Sequence, residues 1–105
     1  MVNPSKVVEV LEDAGFEVEY FPEKGEVRVK GDVKEVFFFG VQELVITNGK
    51  KNISYTRYDG DNFIEIYGDN EEEGEDVEPE TVYLGRDLEV TVRYTDGYLV
   101  FNFSN

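Results

Sequence analysis

The spacing of hydrophobic residues changes once along the chain, close to Gly15. Before that point, apolar residues recur at the three- and four-residue intervals of an amphipathic helix: Val7, Val8, Leu11 and Ala14. Asn3 can cap this helix and Pro4 can take its first position, because the missing N–H of proline has no helical partner there. Gly15 suits the left-handed conformation that ends a helix. The pattern predicts one helix over residues 4–14.

From residue 16 to residue 103, apolar and polar residues alternate in short runs separated by turn residues. The clearest run is 88–94, in which Leu, Val, Val and Tyr alternate with Glu, Thr and Arg. Asn48-Gly49 and Asp96-Gly97 are typical hairpin dipeptides. The pattern predicts about eight or nine short strands, and their short connections favour antiparallel pairing.

So many strands in 105 residues must curl into a small barrel or fold into a two-layer sandwich. We expect the N-terminal helix to plug one end or cover one face. Eight Phe and seven Tyr supply enough apolar surface for a core. The sequence therefore predicts an α+β, mostly antiparallel β protein that forms a single domain over residues 1–105.

Charge is concentrated in one tract, DNEEEGEDVEPE, which covers residues 69–80. The tract contains eight carboxylates and no base, and the chain as a whole carries a formal net charge of −14. The other residues still hold sixteen acids against ten bases. This balance disfavours direct binding to nucleic acid or to an anionic membrane, because phosphate contacts need Lys and Arg.

The residue types needed for most catalysis are missing. The chain has no His and no Cys, which removes Ser–His and Cys–His nucleophile pairs and almost every zinc site. Carboxylate chemistry is what remains for an enzyme, and among 24 acids a suitably spaced pair arises by chance. We predict a protein that is not an enzyme and needs no cofactor, with a carboxylate-based hydrolase as an alternative of low weight.

The simplest interpretation of the tract is a solvated loop between two strands. Like charges repel and extend the chain, and Gly74 and Pro79 disfavour a helix or a strand. Such a loop would keep the protein soluble and protect a sheet edge.

Calcium binding is an alternative function for the tract. Read from Asp69, it has the form D-x-E-x-E-G-x-x-x-x-x-E, which resembles the loop of an EF-hand. The resemblance implies calcium as the ligand and assigns a metal-binding role to five carboxylates, with Gly74 at the sharp turn: Asp69, Glu71, Glu73, Glu75 and Glu80. Asp59-Gly60-Asp61-Asn62, with Glu65 beyond it, is a second cluster of oxygen ligands, although these residue types are also common in tight turns.

A basic protein partner is the function that we favour. Carboxylates displayed on a rigid β-domain imitate the phosphates of a duplex and can occupy a groove lined by Arg and Lys. In size and charge the chain resembles small acidic proteins of phages and mobile elements, including anti-CRISPR and restriction-inhibiting proteins, which implies a nucleic-acid mimic as one form of this function. Seven residues are the predicted contacts: Glu71, Glu72, Glu73, Glu75, Asp76, Glu78 and Glu80.

Three further expectations concern the surroundings of the protein. The N-terminal stretch lacks the uninterrupted apolar core of a signal peptide, and no apolar run is long enough to cross a bilayer, so we expect a cytoplasmic protein. Lys50, Lys51 and Arg57 are expected to form the only basic cluster. Strand edges could also pair between two copies and form a homodimer.

Overall fold

The computed structural model describes residues 2–38, 42–68 and 79–104. Helix α1 spans Pro4–Asp13, one residue shorter than predicted. Asn3 caps it as expected, since its Oδ1 atom accepts a hydrogen bond of 3.1 Å from the backbone N–H of Ser5. Gly15 follows with φ at +89°, in the left-handed region. Within the described ranges, no helix has the length and the apolar composition that crossing a bilayer requires.

Nine strands occur in the described part of the chain, and a short 3₁₀ turn over Pro22–Lys24 joins the first two. In chain order they are β1 Val18–Phe21, β2 Glu26–Lys30, β3 Asp32–Phe38, β4 Gln42–Thr47, β5 Lys51–Tyr58, β6 Asp61–Gly68, β7 Glu80–Arg86, β8 Val90–Thr95 and β9 Tyr98–Phe103.

The strands form two antiparallel sheets. Sheet A has the order β1-β2-β9-β8, and sheet B has the order β3-β4-β5-β6-β7. Sheet B is a meander of consecutive strands, whereas sheet A pairs β2 with β9 from the far end of the chain. The predicted fold class is confirmed, and the alternative left open by the sequence is decided in favour of two layers.

The core lies between the two sheets. Alternate residues of the inner strands point into it, and Val7 and Leu11 of α1 complete it from the side of β1 and β2. The ring of Tyr55 on β5 meets the ring of Phe101 on β9 edge to face, with centroids 6.1 Å apart. This contact joins sheet B to sheet A, so the two layers share one hydrophobic core.

Two hairpins close through two-residue turns. Asp59-Gly60 links β5 to β6 and Asp96-Gly97 links β8 to β9, with φ positive at all four residues. Both turns have the left-handed backbone that a tight hairpin requires. The second turn matches the prediction for Asp96-Gly97, and Thr95 and Tyr98 flank it as a directly opposed pair.

Both outer strands of sheet B are interrupted by a β-bulge. On β3, Val33 and Glu35 pair with consecutive residues of β4, which leaves Lys34 as the extra residue. On β7, Tyr83 and Gly85 pair with consecutive residues of β6, which leaves Leu84 as the extra residue. A bulge twists the strand locally and disrupts the regular ladder of hydrogen bonds.

Candidate functional site

Most of the predicted partner-binding residues lie outside the described residues. Six of the seven belong to this group: Glu71, Glu72, Glu73, Glu75, Asp76 and Glu78. The predicted calcium ligand Asp69 does as well. Glu80 is described, and it lies exposed at the start of β7. The interpretation of the tract therefore stays a prediction, for the basic partner and for calcium alike.

The second oxygen cluster is engaged in contacts within the protein. Oδ1 of Asp61 accepts hydrogen bonds of 3.0 Å from Arg86 and from the hydroxyl of Tyr83. Asn62 is fully buried and bonds to Tyr55 and to the carbonyl oxygen of Gly85. Among the residues that the structure describes, no group of three or more carboxylates could hold a metal ion.

An acidic groove lies between the end of α1 and strand β1. It is open to solvent, has a volume of about 560 Å³, and is lined by Glu12, Phe16, Glu17, Val18, Glu19 and Tyr98. The three carboxylates are exposed at its rim, while Phe16 is buried beneath them. The groove places carboxylates beside aromatic rings, which is an environment suited to a cationic side chain.

The acidic groove continues a larger negative surface. Glu9 and Asp13 are exposed on α1 and belong to the helix that forms one wall. Glu17 is the one groove carboxylate with a described ion pair, at 3.6 Å from Lys30. The sequence pattern does not reveal this site, because Glu12 belongs to the helix, Glu17 precedes β1 and Glu19 lies within β1. The alternation of Glu17 and Glu19 with Phe16 and Val18 does indicate that these two carboxylates face solvent.

All four arginines of the chain form ion pairs inside the protein. Arg28 and Arg93 pair with Glu26 at 2.8 and 3.8 Å, Arg86 pairs with Asp61 at 3.0 Å, and Arg57 pairs with Asp87. Each guanidinium is therefore beside a carboxylate, which cancels much of its field at the surface. Among the carboxylates that line the acidic groove, Glu17 has an ion pair within the described part of the chain, with Lys30.

Two arginines, Arg28 and Arg93, lie close together on the outer face of sheet A. The register places Arg28 on β2 and Arg93 on β8 on either side of Val100, and both guanidiniums approach the buried carboxylate of Glu26. Arg28 also lies 5.2 Å from the ring centroid of Phe21. Stacking and ion pairing hold this side chain in place.

The prediction that Lys50, Lys51 and Arg57 form one basic cluster is wrong. Lys51 is the first residue of β5 and Lys50 precedes it, whereas Arg57 lies near the other end of the strand and pairs with Asp87. Arg57 is six positions along the strand from Lys51, which corresponds to about 20 Å. The sequence places these bases close together, but an extended strand keeps them apart.

Two tyrosines are exposed on the outer face of sheet B. Tyr58 is 53% exposed and Tyr83 is 50% exposed. Asp61 lies directly opposite Tyr58 in the register and accepts a hydrogen bond from the hydroxyl of Tyr83. Partial desolvation and the hydrogen bond to Asp61 raise the pKa of Tyr83. We call Tyr58, Tyr83 and Asp61 the tyrosine face. Tyrosine is enriched at protein interfaces, because it combines a large apolar ring with a polar end.

A buried polar contact supports the tyrosine face from the core side. The hydroxyl of Tyr55 donates to Oδ1 of Asn62, and Nδ2 of Asn62 donates to the carbonyl oxygen of Gly85 at 3.1 Å. Burial raises the pKa of Tyr55 to about 12, although the nearby Arg57 acts in the opposite direction. Tyr55 thus stays protonated and keeps its donor at neutral pH.

A smaller cleft of about 350 Å³ lies where the chain passes from sheet A to sheet B. Glycines at positions 15, 31 and 97 line it together with Glu17, Lys30 and Asp32. Glu17 and Asp32 are both exposed, and Glu17 pairs with Lys30. The cleft therefore offers two solvated carboxylates, one of which is already paired with a lysine.

The described surfaces differ in the ligands that they suit. The acidic groove suits a cationic group, the tyrosine face suits a protein surface, and the arginines are already engaged by carboxylates. No family model, curated protein or solved structure matches this chain.

Proposed function

We propose that this protein is a non-enzymatic interaction protein that binds a basic protein partner through its exposed carboxylates. The observation that carries the proposal is the acidic groove, in which Glu12, Glu17 and Glu19 surround an apolar floor. The tract of residues 69–80 adds eight carboxylates to the same chain. The alternatives of calcium binding and carboxylate-based hydrolysis remain open, and no described residue favours either.

The distribution of charge supports this partner class. The chain carries −14, and its four arginines are each paired with a carboxylate. The remaining field is negative and extends about one Debye length, near 10 Å at 0.1 M salt. A partner rich in Lys and Arg is steered toward such a surface, so association is fast at low salt and slows as salt is added.

The composition of the acidic groove favours lysine or arginine side chains as its occupants. A carboxylate binds a guanidinium through two parallel hydrogen bonds, and the half-buried ring of Tyr98 offers a cation–π contact. Phe16 and Val18 line the same groove, where the aliphatic stem of a long basic side chain can pack. Negative charge and apolar surface are thus combined at one place.

A more specific form of the proposal is mimicry of nucleic acid. The partner would then be a nucleic-acid-binding protein, and the carboxylates would occupy the sites of the phosphates. Competition distinguishes this form from binding to any basic protein. A duplex of random sequence should displace the acidic protein from such a partner, and the acidic protein should displace the duplex.

The test begins with capture of partners from a lysate at about 0.05 M and about 0.3 M salt, followed by affinity measurements on each purified partner. The groove variant replaces Glu12, Glu17 and Glu19 by Gln. The tract variant replaces the seven predicted carboxylates by Gln or Asn. A matched control, Glu23→Gln with Glu65→Gln and Asp96→Asn, removes three charges that do not line the groove.

We expect the groove variant to weaken binding by about tenfold, because each lost contact contributes up to about 1 kcal/mol. The control should weaken it by less than about threefold, through the lower net charge alone. If the groove variant and the control bind equally well, the groove is not the contact. If neither the groove variant nor the tract variant differs from the unmodified chain, the proposed function is wrong.

A further inference from the structure

The described strands form two sheets with four edge strands, which are β1 and β8 in sheet A and β3 and β7 in sheet B. An unprotected edge offers free N–H and C=O groups to a further strand. Proteins avoid unwanted pairing by covering an edge, by inserting a bulge, or by placing Lys or Pro on it. These devices are distributed unevenly among the four edges.

Three of the four edges are protected. Helix α1 packs beside β1, which has only four residues. Strand β3 has a bulge at Lys34, and this lysine is exposed. Strand β7 has a bulge at Leu84 and follows Pro79. Each of the three edges is therefore a poor template for another strand.

None of these devices is found on strand β8 among the residues that the structure describes. It pairs with β9 over all six residues without a bulge, and its sequence VTVRYT contains no Lys and no Pro. Within the described part of the chain, no backbone hydrogen bond links Val90–Thr95 to any strand except β9. Val92 and Tyr94 pack against the core but remain partly exposed. The edge therefore offers both unpaired backbone and apolar side chains.

The hairpin turn determines which backbone groups of β8 are free. In a two-residue hairpin the residues that flank the turn form a hydrogen-bonded pair, and here these are Thr95 and Tyr98. The N–H and C=O groups of every second residue from Thr95 thus point toward β9. Those of Val90, Val92 and Tyr94 point away from β9, toward the open edge.

We propose that β8 is a pairing edge and that its partner is strand β8 of a second copy of this chain, antiparallel around Val92. In this register Val92 lies opposite Val92 of the second copy, and Val90 lies opposite Tyr94. These pairs share a face, and they supply about six backbone hydrogen bonds, two for each pair. The partly exposed Val92 and Tyr94 of both copies then become covered, and sheet A continues across the two-fold axis.

The charges of the strand fit a second copy. Thr91 lies opposite Arg93 of the other copy, so the two arginines are not directly opposed. Strand β8 contains no Asp or Glu, so no carboxylate of the strand enters the contact although each chain carries −14. The same register directs Leu88, which is 92% exposed, toward the Asp96-Gly97 turn of the second copy.

The salt dependence of binding distinguishes this inference from the proposed function. The inference does not rest on that function. Two chains of the same net charge repel, and salt screens the repulsion. Self-association should therefore strengthen between about 0.05 and 0.5 M salt, whereas binding to a basic partner should weaken. Sedimentation equilibrium over a wide range of protein concentrations measures the dimerisation constant at each salt concentration.

The decisive variant is Val92→Pro, because proline lacks the N–H that each copy donates across the axis. Proline is tolerated on an edge where the N–H faces solvent, so the monomer should fold. We expect dimerisation to weaken by at least about tenfold, since two hydrogen bonds are lost. Val92→Thr keeps the N–H and the branched shape, and it should dimerise like the unmodified chain.

Amide hydrogen exchange on the unmodified chain tests the strand pairing without any substitution. The amides of Val90, Val92 and Tyr94 should exchange more slowly as the protein concentration rises, while those of Thr91 and Arg93 are protected at every concentration by β9. A chain that stays monomeric at high concentration and high salt overturns the inference. So does a dimer that survives Val92→Pro with unchanged affinity, or protection at Val92 that does not depend on concentration.

Discussion

The hydroxyl of Tyr55 donates a hydrogen bond to Oδ1 of Asn62 inside the core, and both side chains are almost completely buried. Nδ2 of Asn62 in turn donates a hydrogen bond to the carbonyl oxygen of Gly85. The three residues come from β5, β6 and β7, so these two hydrogen bonds connect the three strands that carry the tyrosine face. No buried side-chain nitrogen or oxygen atom of the described residues lacks a partner.

Replacing Tyr55 by Phe should destabilise the protein by about 1–3 kcal/mol. The ring remains, but Oδ1 of Asn62 loses its donor, and an unsatisfied buried acceptor carries a desolvation penalty of that size. Urea unfolding followed by circular dichroism measures the change. Tyr58→Phe is the matched control, because Tyr58 is 53% exposed, and it should change the free energy of unfolding by less than about 0.5 kcal/mol. Equal effects of the two variants would contradict the assigned role of the buried hydroxyl.

Alkaline pH should remove the contribution of the same hydroxyl. Burial raises the pKa of Tyr55 from 10.0 to about 12, so the folded state holds the proton more tightly than the unfolded state. The stabilisation is complete below pH 10 and is lost as the pH rises through 12. A shift of two units corresponds to roughly 2–3 kcal/mol.

Urea unfolding between pH 9 and pH 12 tests this linkage. The difference in stability between the unmodified chain and Tyr55→Phe should shrink by that amount, because other groups that titrate in this range are common to both proteins. A difference that is constant with pH would show that the pKa of Tyr55 is the same in the folded and unfolded states.

Replacing Gly25 by Ala should destabilise the protein more than replacing Gly49 by Ala. Both glycines have positive φ, which costs an alanine about 1–2 kcal/mol. At Gly25 the added methyl group would overlap the carbonyl oxygen of Phe103 on β9, whereas at Gly49 it would have no atom of a described residue within 4 Å beyond its own chain neighbours. Overpacking against backbone adds about 1–3 kcal/mol, so thermal and urea unfolding should separate the two variants clearly. Similar losses would contradict the close approach of the β1–β2 turn to β9.

Calcium should stabilise the protein no more than magnesium does. The proposed function requires only that the carboxylates of residues 69–80 stay accessible to a basic partner, and both cations screen them to a similar degree. Thermal unfolding at low ionic strength, with either cation at millimolar concentration, measures the effect. A rise in Tm specific to calcium, abolished by Asp69→Asn with Glu80→Gln, would instead support the calcium site resembling an EF-hand loop.

Local features were predictable because neighbouring residues decide them. Asn3, Pro4 and Gly15 mark the ends of α1 through capping and backbone preference, and Asp96-Gly97 closes a tight hairpin for the same reason. The alternation along 88–94 also predicted β8, although the regular strand begins at Val90. The exposure of Glu17 and Glu19 could have been predicted from the alternation, but their position beside Glu12 could not, because it requires the angle at which α1 meets β1.

The sequence by itself determined the helix, the strand pattern, the strong negative charge and the absence of histidine and cysteine. Each of these depends on composition or on residues a few positions apart. Tertiary structure decided that β2 pairs with β9, that Glu26 meets Arg93, and that Lys51 lies far from Arg57. These relationships join distant parts of the chain, and they arise because two sheets and a helix bury their apolar faces in one core, which no local pattern specifies.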